Sequence, residues 1–277
     1  MIEKHLVDGL EVYDAKPEQP RSQTPLLFIH GAHAGAWTWV DHYLPWFAAQ
    51  GYRSYALSLR GHGGSHEHEL LHWQSIADYI DDVLHITDWL EETPVLIGHS
   101  LGGFVVQKAL ERRYAKGAVL MCSAPPQGML ASQFHLLFNH PSGLVDLNQI
   151  VEAGKKDPHL LRDMLFAEPI DDADLNRYLL RLQPESHRAI WDISIFHQAG
   201  LASLQRPPML ILGAEKDNVV SPFLVQSTAH TYGLPCKIFR GMGHALTHEK
   251  SWQRVAETIR TWLETEVDGA SSDNQAG

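Results

Sequence analysis

The chain has 277 residues, 44% of them hydrophobic and 20% charged, a composition that suits one large soluble globular domain with a sizeable core. Its net charge is −11 with neutral histidines and its Lys and Arg residues are scattered, so nucleic acid and anionic membrane are excluded as expected partners. The two cysteines, Cys122 and Cys236, lack metal-ligand spacing and cannot form a disulfide framework; they are expected to pack inside a protein of a reducing compartment.

Met1-Ile2-Glu3-Lys4-His5 lacks the charged flank and apolar core of a secretion signal, and no stretch approaches the roughly 18 apolar residues of a membrane span, so a cytoplasmic location is expected. Residues 5–14 alternate loosely about Asp8-Gly9, which predicts an edge hairpin, and the proline-rich stretch 16–25 predicts a loop. Pro25 to Ile29 reads as a buried strand running into His30-Gly31-Ala32-His33-Ala34-Gly35, whose small residues let the backbone come close to whatever lies above the sheet. Trp37 to Gln50 has helical spacing and stops at Gly51. Tyr52 to Leu59 predicts a strand that opens into Arg60-Gly61-His62-Gly63-Gly64-Ser65, and Ile76 to Leu90 predicts an amphipathic helix.

Next comes the stretch from which the chemistry follows. Val95-Leu96-Ile97 runs into Gly98-His99-Ser100-Leu101-Gly102-Gly103, and the apolar helix pattern of Leu101 to Leu110 begins at once. A Gly-x-Ser-x-Gly corner between strand and helix forces the serine into a strained conformation, and a side chain at Gly98 or Gly102 would collide with its neighbours. Ser100 Oγ is then held out beyond the sheet, while the Leu101 N–H, at the positive end of the new helix, points where an attacked carbonyl develops negative charge. Further strands are predicted at Gly117–Cys122, Pro208–Leu212 and Cys236–Phe239, with helices near 222–232 and 251–265. Alternating strands and helices imply an α/β fold with a mostly parallel, doubly wound sheet of about eight strands and functional loops at the strands' carboxyl ends.

Residues 125–205 interrupt the rhythm with helical patterns, no strand and excessive length for a connection, so they are expected to form a helical cap inserted between core segments 1–124 and 206–266. In it Phe134, Leu136, Leu137, Phe138, Met164, Leu165, Phe166, Trp191 and Phe196 are expected mainly to pack, a few of them lining an apolar pocket. The small polar tail 267–277 is expected to be disordered.

A serine hydroxyl needs a base to take its proton and an acid to hold that base. His244, in Gly241-Met242-Gly243-His244-Ala245 directly after the last strand, is the candidate base. Asp217, in Gly213-Ala214-Glu215-Lys216-Asp217 after the preceding strand, is the candidate acid, with Glu215 as its rival on the same loop. Ala32, following His30-Gly31, is the expected second N–H donor of an oxyanion hole shared with Leu101.

These motifs resemble those of the α/β-hydrolase superfamily over about residues 25–265 apart from the cap, and His30-Gly31-Ala32 with Gly35-Ala36-Trp37 is most similar to its small esterase and hydroxynitrile lyase branch. The resemblance implies the fold, the Ser100, Asp217 and His244 triad, and the two N–H donors; after Cys122, where such folds also carry the acid, Ser123-Ala124-Pro125-Pro126 has no carboxylate.

The expected activity is hydrolysis of a small or medium, mostly apolar carboxylic ester through an acyl-enzyme on Ser100. The alternatives are an amidase, a carbon–carbon bond hydrolase, a hydroxynitrile lyase, for which Lys216 is a poor candidate lysine, or a non-catalytic binding protein. Homodimerisation is left open. His62, His66, His68 and His72 lack the His-Glu-x-x-His zinc pattern, and the glycines at 61, 63 and 64 lack a phosphate-loop signature, so no metal and no nucleotide or flavin cofactor is expected.

Overall fold

The computed structural model describes residues 2–128, 158–195 and 207–269. Eight strands form one sheet in the order β1-β2-β4-β3-β5-β6-β7-β8. They are β1 Ile2–Val7, β2 Leu10–Ala15, β3 Leu26–Ile29, β4 Ser54–Leu57, β5 Val95–His99, β6 Gly117–Met121, β7 Met209–Ala214 and β8 Cys236–Phe239. β1 and β2 make the expected edge hairpin and β2 pairs antiparallel with β4; the pairings from β4 through β8 are parallel.

The central strands are apolar throughout because helices cover both faces. In β3 the period-2 alternation divides them: Leu27 and Ile29 join one core, Leu26 and Phe28 the other, and all four are fully buried. The first core packs beneath α3 (Ile76–Trp89), α4 (Leu101–Leu110) and α8 (Pro222–Tyr232); the second packs beneath α2 (Tyr43–Ala49) and α9 (Trp252–Trp262). α3 starts with a capping box between Ser75 and Asp78, and α8 has Pro222 in its first turn and Gly233 in the left-handed conformation at its end.

The single helix expected over Trp37 to Gln50 is instead two, α1 (Trp37–Val40) and α2, with His42 at φ −132° between them. Pro45 is the reason: it has no N–H to give the Asp41 carbonyl, and its ring crowds that carbonyl. The chain also stays helical past the expected start of the tail, through Asp268. Val267 is buried, and the Asp268 carboxylate accepts hydrogen bonds from Ser22 Oγ at 2.8 Å and Tyr52 Oη at 2.9 Å; residues 270–277 lie outside the described residues.

Within the segment expected to be a cap, α5 (Pro158–Leu165), α6 (Asp172–Arg181) and α7 (His187–Ile195) are described. Leu161, Leu165, Phe166 and Tyr178 pack with Ala34, Trp37 and Ala245 in a third apolar cluster, so α5 and α6 sit against the chain that follows β3 and β8, while Ala189 and Ile193 of α7 join the first core. Trp191 is exposed, and Phe134, Leu136, Leu137, Phe138 and Phe196 lie outside the described residues. Among the described residues no helix is long and apolar enough to cross a membrane.

Candidate active site

Ser100 stands at the corner between β5 and α4 with φ 53° and ψ −116°, a left-handed strained conformation for a residue with a side chain. Its N–H donates to the Met121 carbonyl at 2.9 Å, which anchors the corner to β6. Steric crowding fixes the two glycines: a Cβ on Gly98 would overlap the Gly102 carbonyl, and one on Gly102 would overlap the carbonyls of Ile29 and His30. Leu101 opens α4 immediately after the serine, so its N–H belongs to the helix's positive end.

The loops after β7 and β8 bring Asp217 and His244 together. Asp217 Oδ2 lies 2.8 Å from His244 Nδ1, and its other oxygen accepts the N–H groups of Val219 and Val220, each at 2.8 Å. Burial works against charge on this carboxyl, but the histidine and the two N–H donors outweigh it and lower its pKa. Glu215 points elsewhere: it is exposed, and its Oε2 accepts the Gly241 N–H at 3.0 Å, tying the β7 loop to the loop that carries His244. The buried Cys122 thiol sits against Asp217, and burial first, then that carboxylate, pushes it well above the usual thiol range. Cys236 is half-buried in β8.

Ala32 follows β3 in a loop that touches the corner. A Cβ on Gly31 would stand 3.1 Å from Ser100 Cβ, so only a bare backbone approaches this closely. His30, fully buried, holds that backbone: its Nδ1–H donates to the Gly31 carbonyl at 2.8 Å, and its Nε2 accepts the Leu59 N–H at 3.0 Å. The two bonds require one neutral tautomer. Burial, and next the charge of His62, push the ring down to about 3. The Gly31 carbonyl and the Ala32 N–H belong to one planar trans peptide, so fixing the first on one side fixes the direction of the second on the other.

His99 carries no signal in the sequence beyond lying between Gly98 and Ser100. Its Nε2–H donates to the His244 carbonyl at 2.8 Å, and the two rings lie 4.8 Å apart. Burial, then the charge of His244, lowers it to about 3, so it stays a neutral donor to that backbone.

Ser100, His244, Ala32 and Leu101 all line one cavity of about 220 Å³. Leu165, Leu182, Ile190, Ile193 and Val219 make most of its remaining wall apolar. A larger cavity of about 850 Å³, lined by charged side chains such as Asp41, Asp174, Arg177 and Lys250, contains none of the expected site residues; Tyr178 borders both. Two groups of possible metal ligands occur among the described residues, His99 with Cys122 and His244, and Glu3 with His5 and Asp14. In the first, His99 Nε2 and His244 Nδ1 are already committed to hydrogen bonds; in the second, Lys16 pairs with Glu3 at 3.0 Å.

The chain belongs to the alpha/beta hydrolase family, which it matches over residues 26–258. It is similar to a monoacylglycerol lipase of Mycolicibacterium smegmatis, with 23% identity over 270 residues, covering 91% of this chain and 92% of that one. It is also similar to methylesterase 3 of Arabidopsis thaliana, with 25% identity over 205 residues, covering 68% of this chain and 77% of the other. Among solved structures, an esterase from Thermogutta terrifontis superimposes with a TM-score of 0.68 at 17% identity, over 96% of this chain and 99% of that one.

Proposed function

We propose that the protein is a serine hydrolase of small or medium carboxylic esters. The observation that carries this reading is a His244 ring bonded to Asp217 at 2.8 Å in the same apolar cavity as the strained Ser100. Ser100 Oγ attacks the ester carbonyl as His244 Nε2 takes its proton. The oxygen of the tetrahedral intermediate is held by the N–H groups of Ala32 and Leu101. Each such donor is typically worth about 3 kcal/mol in the transition state. His244 then protonates the departing alkoxide, leaving an acyl group on Ser100. A water activated by the same ring releases the acid and returns the proton to Ser100. Asp217 keeps the ring in the tautomer with Nδ1–H and Nε2 free to act as base.

The similarity to an esterase, a methylesterase and a monoacylglycerol lipase supports ester chemistry, and the cavity's apolar wall and small volume support a short or medium acyl chain. A hydroxynitrile lyase is disfavoured, because Lys216 is exposed and does not line the cavity. A panel of p-nitrophenyl esters of increasing acyl length, assayed below and above the critical micelle concentration, tests the assignment. Turnover should peak at short to medium chains. A jump in rate on micelles of a long-chain ester would make the protein a lipase instead, and no turnover of any ester would remove the assignment.

A further inference from the structure

We propose that Glu185, on the segment between α6 and α7, is a positioning residue for the Ala32 N–H, acting through His62 and His30 on the Gly31–Ala32 peptide. This rests on the hydrolase reading above and extends it to the Arg60-Gly61-His62-Gly63-Gly64-Ser65 loop, which takes no part in the triad.

Glu185 and His62 are both fully buried, and Glu185 Oε2 lies 3.2 Å from His62 Nε2. The other imidazole nitrogen donates to the Arg60 carbonyl at 3.0 Å, so a carboxylate stands beside one ring nitrogen and a carbonyl beside the other, an arrangement that favours the protonated ring. Glu185 Oε1 receives Tyr79 Oη at 2.7 Å and the Ser186 N–H at 2.6 Å. Burial opposes charge on both partners, yet Glu185 raises the pKa of His62 and His62 lowers that of Glu185. The His62 ring lies 5.0 Å from the ring of His30, whose own two bonds fix the Gly31 carbonyl and hence the direction of the Ala32 N–H.

A neighbouring side chain closes the same junction. Gln183 donates to the Gly61 carbonyl and accepts the Gly63 N–H, each at 2.9 Å, while its backbone N–H donates to the His33 carbonyl at 3.0 Å. Residues 183–186 therefore touch, in one run, the loop after β4 and the loop that carries the oxyanion donor. A buried ion pair is a poor source of net stability, because desolvation offsets its attraction, but it tolerates only a narrow geometry. That narrowness transmits the place of Glu185 to the His62 ring and from there to His30.

The test compares wild type with Glu185→Gln, Glu185→Asp and the neutral double variant His62→Gln/Glu185→Gln. Kcat and KM are measured on p-nitrophenyl butyrate, the rate of Ser100 labelling with a fluorophosphonate, and Tm. Misaiming one oxyanion donor should cost at least about tenfold, less than the roughly 10²- to 10³-fold seen for removing one. In Glu185→Gln and the double variant, kcat and labelling rate should fall together by that factor, with KM within about twofold. Glu185→Asp, which keeps the charge, should recover part of kcat. The double variant leaves no lone buried charge, so it is expected to fold even where the single variant does not. A folded double variant with wild-type kcat and labelling rate, or one changed only in KM, would overturn the proposal. Failure of the wild-type protein to label at Ser100 would instead remove the hydrolase reading, and this proposal with it.

Discussion

His244 Nδ1 and Asp217 Oδ2, 27 residues apart in sequence, meet at 2.8 Å because β7 and β8 are parallel neighbours and their following loops leave the same end of the sheet. The carboxylate is doubly held by the N–H groups of Val219 and Val220, so it orients the ring rather than following it. Asp217→Asn keeps the shape but favours the wrong tautomer, and kcat should fall by about 10⁴-fold. Glu215→Gln loses only part of a bond to the Gly241 N–H and should stay within a few-fold of wild type. Steady-state kinetics on one ester decides between them: a greater loss in Glu215→Gln would name Glu215 as the acid.

Under the proposed mechanism Ser100 and His244 act as a unit, so Ser100→Ala and His244→Ala should each reduce kcat by a factor on the order of 10⁴ to 10⁶, and the double variant should be little worse than either. Losses that multiply would contradict that arrangement.

The corner glycines give a stability test that is independent of chemistry. A Cβ at Gly98 would overlap backbone atoms of Gly102 and Gly103 that cannot rotate away, so Gly98→Ala should cost more than about 2 kcal/mol in denaturant unfolding. Gly233 also has positive φ, at 66°, but nothing lies within 4 Å of its missing Cβ. Gly233→Ala should therefore cost only about 1 kcal/mol, the conformational penalty alone. Equal costs at the two sites would mean that the corner is not sterically locked.

These particulars show what the sequence makes legible. The corner at Ser100 is readable because its glycines answer a local steric demand, and the buried strands because apolar runs have no other place to go. The break between α1 and α2 was readable in principle from Pro45, but the helical spacing of Trp37, Leu44 and Phe47 obscured it. The sequence favours Asp217 over Glu215 by its place on the loop alone; the Val219 and Val220 N–H groups that hold Asp217 beside His244, and the exposed place of Glu215 against Gly241, are visible only in the fold. The pairing of His62 with Glu185 had no local signal: the partners are 123 positions apart and meet only once the inserted helices dock on the core.

That pair also predicts a pH dependence. A histidine whose folded pKa is raised, as His62's is above 6.5, adds stability that is complete below 6.5 and is lost as pH rises through the folded value. A carboxylate whose folded pKa is lowered, as Glu185's is from 4.5 to about 2, adds stability above 4.5 that is lost as pH falls toward 2. His30, His33, Tyr79 and Asp82 are the other titratable groups acting on the two, and all are retained when wild type is compared with His62→Gln/Glu185→Gln. The Tm of wild type relative to that variant should be highest near about pH 5.5 and decline on both sides. A difference in Tm that is flat with pH would show that the pair is uncharged.

A covalent acyl group on Ser100 is the intermediate on which the proposed mechanism turns, and it can be trapped. The protein is mixed with p-nitrophenyl butyrate, quenched in acid during the first turnovers, digested and mapped by mass spectrometry. A butyryl increment is expected on the peptide that contains Ser100, and none in Ser100→Ala. Continued ester turnover by the Ser100→Ala variant, or a butyryl group on another residue in its place, would contradict it.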